Sequence, residues 1–137
     1  MGAQQLMLII LGMALIGIAL AVGLSLFSAN GVQANKDAIT HDLLNIFAAS
    51  AYHHYLRPVG MGGGAYAFDD SKGGNAYVIP AMLASNANGT YEAVNTPTTC
   101  TITGTSVTYP GNSVSLTIGI NGKPVPPGVV VVGPDFN

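Results

Sequence analysis

The sequence predicts an α+β chain, in which a long N-terminal helix, hydrophobic and then amphipathic, packs on a small C-terminal antiparallel β-sheet head. Three observations carry this. The first 35 residues hold no charged side chain, and Leu6 to Phe27 are almost entirely Leu, Ile, Met, Ala, Val and Gly. Apolar residues then recur at helical spacing, with no proline before Pro58. Beyond residue 75, short β-branched or aromatic segments alternate with turn residues. The chain divides on this reading into a hydrophobic transmembrane or filament-core helix over 1–28, an amphipathic continuation over 29–57, a glycine-rich loop over 58–74 and the antiparallel sheet head over 75–137.

The run Leu6–Phe27 spans about 22 residues, roughly 33 Å as a helix, which matches the hydrocarbon core of a bilayer. A secretory signal fits poorly, because nothing basic precedes the run and the run is too long. The missing basic flank also leaves orientation unanchored by the positive-inside rule. The expectation is that a basic leader once preceded Met1 and was removed, which makes Met1 a processed N-terminus. Gly12, Gly17 and Gly23 interrupt the run, and Gly17 with Ala21 and Ala19 with Gly23 form small pairs four apart. Small residues at this spacing let helix backbones approach closely, although Gly and Ala are also simply common in membrane helices.

After Phe27 the sequence turns polar but stays helix-compatible, with a weak point at Ser28, Asn30 and Gly31 where a kink is expected. Ile39, Leu43, Ile46, Phe47, Ser50 and Ala51 then form one stripe, with Lys36, Asp37, Thr40, His41 and Asn45 mostly on the other side. The helix is expected to reach about Leu56. Val59–Gly64 reads as a flexible connector and not a phosphate loop, since no Gly-Lys-Ser or Gly-Lys-Thr ends it. Strands are expected at Ala76–Ile79, Thr90–Val94, Thr99–Val107, Val114–Ile120 and Val129–Val132. Turns are expected at Tyr109–Asn112 and Asn121–Pro124, and a short helical turn at Ala81–Ala84.

Composition argues against several function classes. Only 7% of residues are charged, the net charge is -2, and Lys36, Arg57, Lys72 and Lys123 are scattered, so nucleic-acid binding is not expected. Cys100 is the one cysteine and cannot form an internal disulfide. His53 and His54 are adjacent and diverge by about 100° on a helix, so packing or a protomer contact is favoured over a shared metal. Asp69–Asn75 has a faint calcium-loop look without the ligand order of an EF-hand, and a solvated turn is favoured. Asn88-Gly89-Thr90 is a sequon, so Asn88 is a candidate glycosylation site. No nucleophile motif frames any Ser, His or Asp, so neither an enzyme nor a cofactor is expected.

The charge-free, glycine-punctuated N-terminal helix, the amphipathic continuation, the glycine-rich loop and the sheet together resemble a type IV pilin in its mature form. The resemblance is close over Met1–Phe27 and architectural beyond. It implies a structural protein held in the cytoplasmic (inner) membrane, then polymerised through its helix into an extracellular type IV pilus-like filament, a fimbrium of identical subunits. It also implies prepilin peptidase, a pilus assembly machinery and N-methylation at Met1. Assembly and helix packing would fall to Gln5, Leu6, Ile10, Gly12, Gly17, Ala21, Gly23 and Phe27. Gln5 stands where most bacterial pilins have Glu, and it can accept a hydrogen bond from an ammonium without supplying charge. Adhesion and motility share this scaffold. Two other outcomes stay open: a pseudopilin of a secretion system, and a membrane-anchored periplasmic binding domain that never polymerises.

Overall fold

The computed structural model describes residues 2–136. The chain is α+β: one long N-terminal helix and an open four-stranded antiparallel sheet. It forms two units, Met1–Gln33 and Ala34–Asn137. The expected processed terminus Met1 lies outside the described residues.

The first unit is helix throughout its described length and belongs to α1, Gly2–Asp42. Leu, Ala, Met and Ile are favourable to tolerable helix formers and no proline interrupts them, so the glycines lower the propensity without breaking the helix. α1 runs through Ser28, Asn30 and Gly31 as helix. The irregular turn comes later, as a π-helical segment at Leu43–Phe47, followed by α2, Ala48–Leu56.

The second unit explains that irregular turn. Ile39, Leu43, Phe47, Ala51 and Tyr55 are all buried and recur every fourth residue. On a helix of about 3.6 residues per turn, a strict spacing of four drifts by about 40° per step. One wide turn holding an extra residue takes back part of that drift, so the stripe stays on the sheet. Ile46, expected in the stripe, is 40% exposed instead, because the wide turn carries it outward.

The sheet is a meander of β1 (Gly89–Asn95), β2 (Cys100–Ser106), β3 (Ser113–Ile118) and β4 (Pro124–Val132), paired in chain order. One cross-strand row runs Tyr91, Gly104, Val114, Val131, and the next Ala93, Ile102, Leu116, Val129. The β2 and β3 members of these rows face the helix and are buried. Phe47 meets Tyr91 with ring centroids 4.4 Å apart, and Tyr55 meets Phe68 at 4.9 Å. On the opposite face hydroxyls pair across strands, Thr101 with Thr117 at 2.9 Å and Thr103 with Ser115 at 3.0 Å. Each fully buried Ile, Leu or Phe of this core contributes roughly 1.5–3 kcal/mol of burial.

Four sequence expectations change. Ala76–Ile79 is extended with Tyr77 and Ile79 buried, but it joins no ladder. The Tyr77 N–H donates to the Phe68 carbonyl, and the Tyr77 carbonyl accepts from the Asn95 side chain. β4 begins at Pro124 and not Val129, since an edge strand tolerates proline at its first position and where the ladder is irregular, here at the register shift between Leu116 and Ile118. β2 and β3 end at Ser106 and Ile118, short of the expected Val107 and Ile120. Finally, the glycine-rich segment is no loose connector. The N–H groups of Gly64, Ala65 and Tyr66 bond to the carbonyls of His54, Arg57 and Tyr55. A Cβ on Gly63 would overlap the Arg57 Cβ, and one on Gly64 would overlap the Ala67 carbonyl oxygen. Glycine is required there because backbone packs on backbone.

Candidate functional site

The residues singled out for assembly lie on α1 within the first unit. Gln5, Leu6, Ile10, Gly17, Ala21, Gly23 and Phe27 are exposed, and Gly12 is half-buried. The large apolar side chains from Leu6 to Phe27 are each 54–78% exposed. Among the described residues, one helix is long and apolar enough to cross a membrane. A Cβ added to Gly12, Gly17 or Gly23 would meet nothing within 4 Å. Among the described residues these glycines therefore serve no packing within the chain. They leave shallow places on an apolar cylinder, where a neighbouring helix or lipid can come close.

Within the second unit the structure reveals a polar cluster that sequence reasoning did not single out. Asp42, at the start of the wide turn, is buried. Its Oδ2 accepts from the Tyr91 hydroxyl at 2.5 Å and from the side-chain amides of Asn86 and Asn88, each at 3.1 Å. Burial raises the Asp42 carboxyl, but those hydrogen bonds, with nearby His41, outweigh it and hold the group below its ordinary value of 3.8. Burial and the bond to Asp42 push the Tyr91 hydroxyl well above the usual phenol range. The cluster fastens the turn before β1 to the helix.

A second clamp lies about two turns earlier on the helix. Asn35 donates to the Asn88 carbonyl at 3.1 Å and accepts from the Ser106 hydroxyl at 2.5 Å. Asn88, the sequon residue, is thus held at both its carbonyl and its side-chain amide. The nitrogen that would carry a sugar already donates to Asp42.

The remaining candidates take structural positions. Cys100 is fully buried in β2 and its thiol is pushed up to about 12, which keeps it from ionising at neutral pH. Asp69 accepts from the Ser71 N–H at 3.0 Å in an exposed turn, and hydrogen bonding from Ser71 holds its carboxyl below the ordinary range. His53 is exposed, while His54 Nε2 lies 2.5 Å from the Asn75 carbonyl. Among the described residues no group of three or more His, Cys, Asp or Glu is placed to hold a metal ion.

Comparison with models of known protein families, with curated proteins and with solved structures gives no match. The reading of function therefore rests on the chain's own surfaces.

Proposed function

We propose that this protein is the structural subunit of a type IV pilus-like filament, assembled through the apolar face of α1. The observation that carries the reading is the exposure of every large apolar side chain from Leu6 to Phe27. Leaving such a surface in water is costly, at about 25 cal/mol for each Å² of apolar area. It therefore needs lipid or copies of itself. Lipid suits the subunit before assembly, and a bundle of helices suits it afterwards. The exchange costs little, because both surroundings are apolar, and close packing at Gly12, Gly17 and Gly23 gives the bundle its specificity.

The head supports the same reading. Its core is complete without the first unit, since Ile39, Phe47, Ile102 and Leu116 are buried among themselves and their neighbours. A folded head on a sticky helix is what a polymerising subunit requires, and so does a membrane-anchored domain. Electron microscopy of material sheared from cells, with mass spectrometry of its protein, separates them. Filaments built from this chain are expected. Extraction by detergent as a monomer, with no shed filament, would overturn the proposal in favour of an anchored binding domain. Assemblies confined to the periplasm would point to a pseudopilin.

A further inference from the structure

The chain has a single arginine and three histidines, and Arg57 and two of those histidines line one cleft in the second unit. The cleft holds about 350 Å³ between the last turns of the helix and the extended segment that carries Tyr77. Its polar lining is Ser50, His53, His54, Arg57 and Tyr77, and Val78 and Pro80 supply apolar walls.

Cations near a helix C-terminus ordinarily serve to cap its carbonyls. Here that work is done by backbone. The Arg57 N–H bonds to the carbonyls of His53 and His54, Gly64 bonds to His54, and Tyr66 bonds to Tyr55. The helix end is closed by backbone, and Arg57 is exposed and lines the cleft.

Ser50, Tyr77 and His54 are held by hydrogen bonds. The Tyr77 hydroxyl donates to Ser50 Oγ at 2.9 Å, which leaves the Ser50 hydroxyl hydrogen and a Tyr77 lone pair for other partners. The His54 Nε2 donates to the Asn75 carbonyl, and its ring meets Tyr77 edge-on at 5.5 Å. That bond fixes the neutral ring's tautomer and makes Nδ1 an acceptor. The cleft therefore offers one planar, permanently charged fork beside the hydrogen-bonded Ser50, Tyr77 and His54 and a short apolar wall. Arg is suited to bidentate binding of a carboxylate. A single fixed charge matches a monoanion better than a dianion such as phosphate. The hydroxyls and the imidazole match a polyol, and the volume is at the small end for ligand sites.

We propose that this cleft binds a sugar acid, its carboxylate on Arg57 and its hydroxyls on Ser50, Tyr77 and His54. The site shares no residue with the apolar run Leu6–Phe27 and does not depend on the filament reading.

The test is NMR titration of the full chain in nonionic detergent micelles with sodium glucuronate, and in parallel with glucose, acetate and inorganic phosphate. Saturable shifts of the His53, His54 and Tyr77 ring signals with glucuronate are expected, with weaker binding of the other three. Arg57→Gln should weaken glucuronate binding about tenfold or more, as loss of a charge-assisted bidentate pair does. Ser50→Ala, which removes one hydroxyl from an otherwise intact helix, should weaken it by a smaller factor. No saturable shift, equal binding of glucose or acetate, tighter binding of phosphate, or full affinity in Arg57→Gln would each overturn the proposal. Unchanged amide spectra of both variants outside the cleft show that they remain folded.

Discussion

Asp42 on the helix and Tyr91 on β1 are joined by a hydrogen bond of 2.5 Å, in which the phenol donates to the carboxylate. They are 49 residues apart in the chain, and the bond lies beside the ring contact of Tyr91 with Phe47. The helix is therefore fixed to the sheet at one point by both a charge-assisted bond and an aromatic pair. The amides of Asn86 and Asn88 complete the shell around the same oxygen.

This arrangement makes the head's stability depend on pH with a definite sign. The Asp42 carboxyl titrates lower when folded than its ordinary value of 3.8. Its contribution is fully present above that value and is lost as the pH falls through the lower, folded one. Asp42→Ala should cost about 3 kcal/mol at neutral pH, because Tyr91 and two amides lose a charged acceptor together. Urea midpoints taken from neutral into acid solution, in nonionic detergent micelles, should fall more steeply for the wild type than for Asp42→Asn. Parallel curves would mean that Asp42 does not carry this dependence.

Gly104 tests how closely the helix lies on the sheet. A Cβ there would stand 2.6 Å from Ile39 Cγ2 and 2.8 Å from Cε1 of the Tyr91 ring. The position is in the middle of β2, where either neighbour could move only by disturbing the core. Gly104→Ala should destabilise by about 1–3 kcal/mol through overpacking, although Ala is otherwise the better strand residue. A thermal melt matching the wild type would show that the helix can lift away from β2 at no cost.

The helix and four strands were legible because their signals are local. The apolar run, the lack of proline before Pro58 and the alternation around Thr101–Thr103 and Val114–Ile118 each act within a few residues. The exposed apolar face of α1 was legible for the same reason, since no charge occurs in the first 35 residues. Ala76–Ile79 misled because Tyr77 and Ile79 alternate in burial as a strand would, while their backbone partners lie outside the sheet. Asp42 could not be found, because its partners Asn86, Asn88 and Tyr91 are more than 40 residues away and a lone acid in an amphipathic helix reads as surface. The cleft at Arg57 was hidden likewise, for its far wall arrives with Tyr77.

Asn112 holds the C-terminal segment. It is fully buried, and its Nδ2 donates to the Tyr109 carbonyl at 2.8 Å and to Asp135 at 2.9 Å. Its Oδ1 accepts from the N–H groups of Asp135 and Phe136 at 2.9 and 3.3 Å. Asn112→Ala removes the partner of the Asp135 side chain and of the Asp135 and Phe136 N–H groups at the end of the β2–β3 hairpin, while the Tyr109 carbonyl keeps the backbone N–H of residue 112. A loss of about 2–3 kcal/mol is expected. Amide exchange should quicken at Asp135 and Phe136 before it does in β2. Protection retained at both residues would show that Phe136, buried on its own account, suffices to hold the segment.

On the proposed filament reading, Gly17 separates the chain's stability from its assembly. In the isolated chain a Cβ at this position meets nothing within 4 Å, and neither does one at Gly12 or Gly23. Gly17→Leu should therefore leave the helix at least as stable, since Leu exceeds Gly in helix propensity by roughly 0.5–1 kcal/mol. Insertion into a membrane should also be undisturbed, because Leu is as apolar as lipid. A neighbouring helix closing on Gly17 and Ala21 would instead meet an isobutyl group, and close approach would be lost. The variant should accumulate in the membrane with its head folded and release little or no filament on shearing. Gly17→Ala, which adds one methyl group, should assemble at a reduced level. Filaments from Gly17→Leu in wild-type amounts would place the packing seam on another face of α1. Absence of the variant from the membrane would put the glycine's role in insertion.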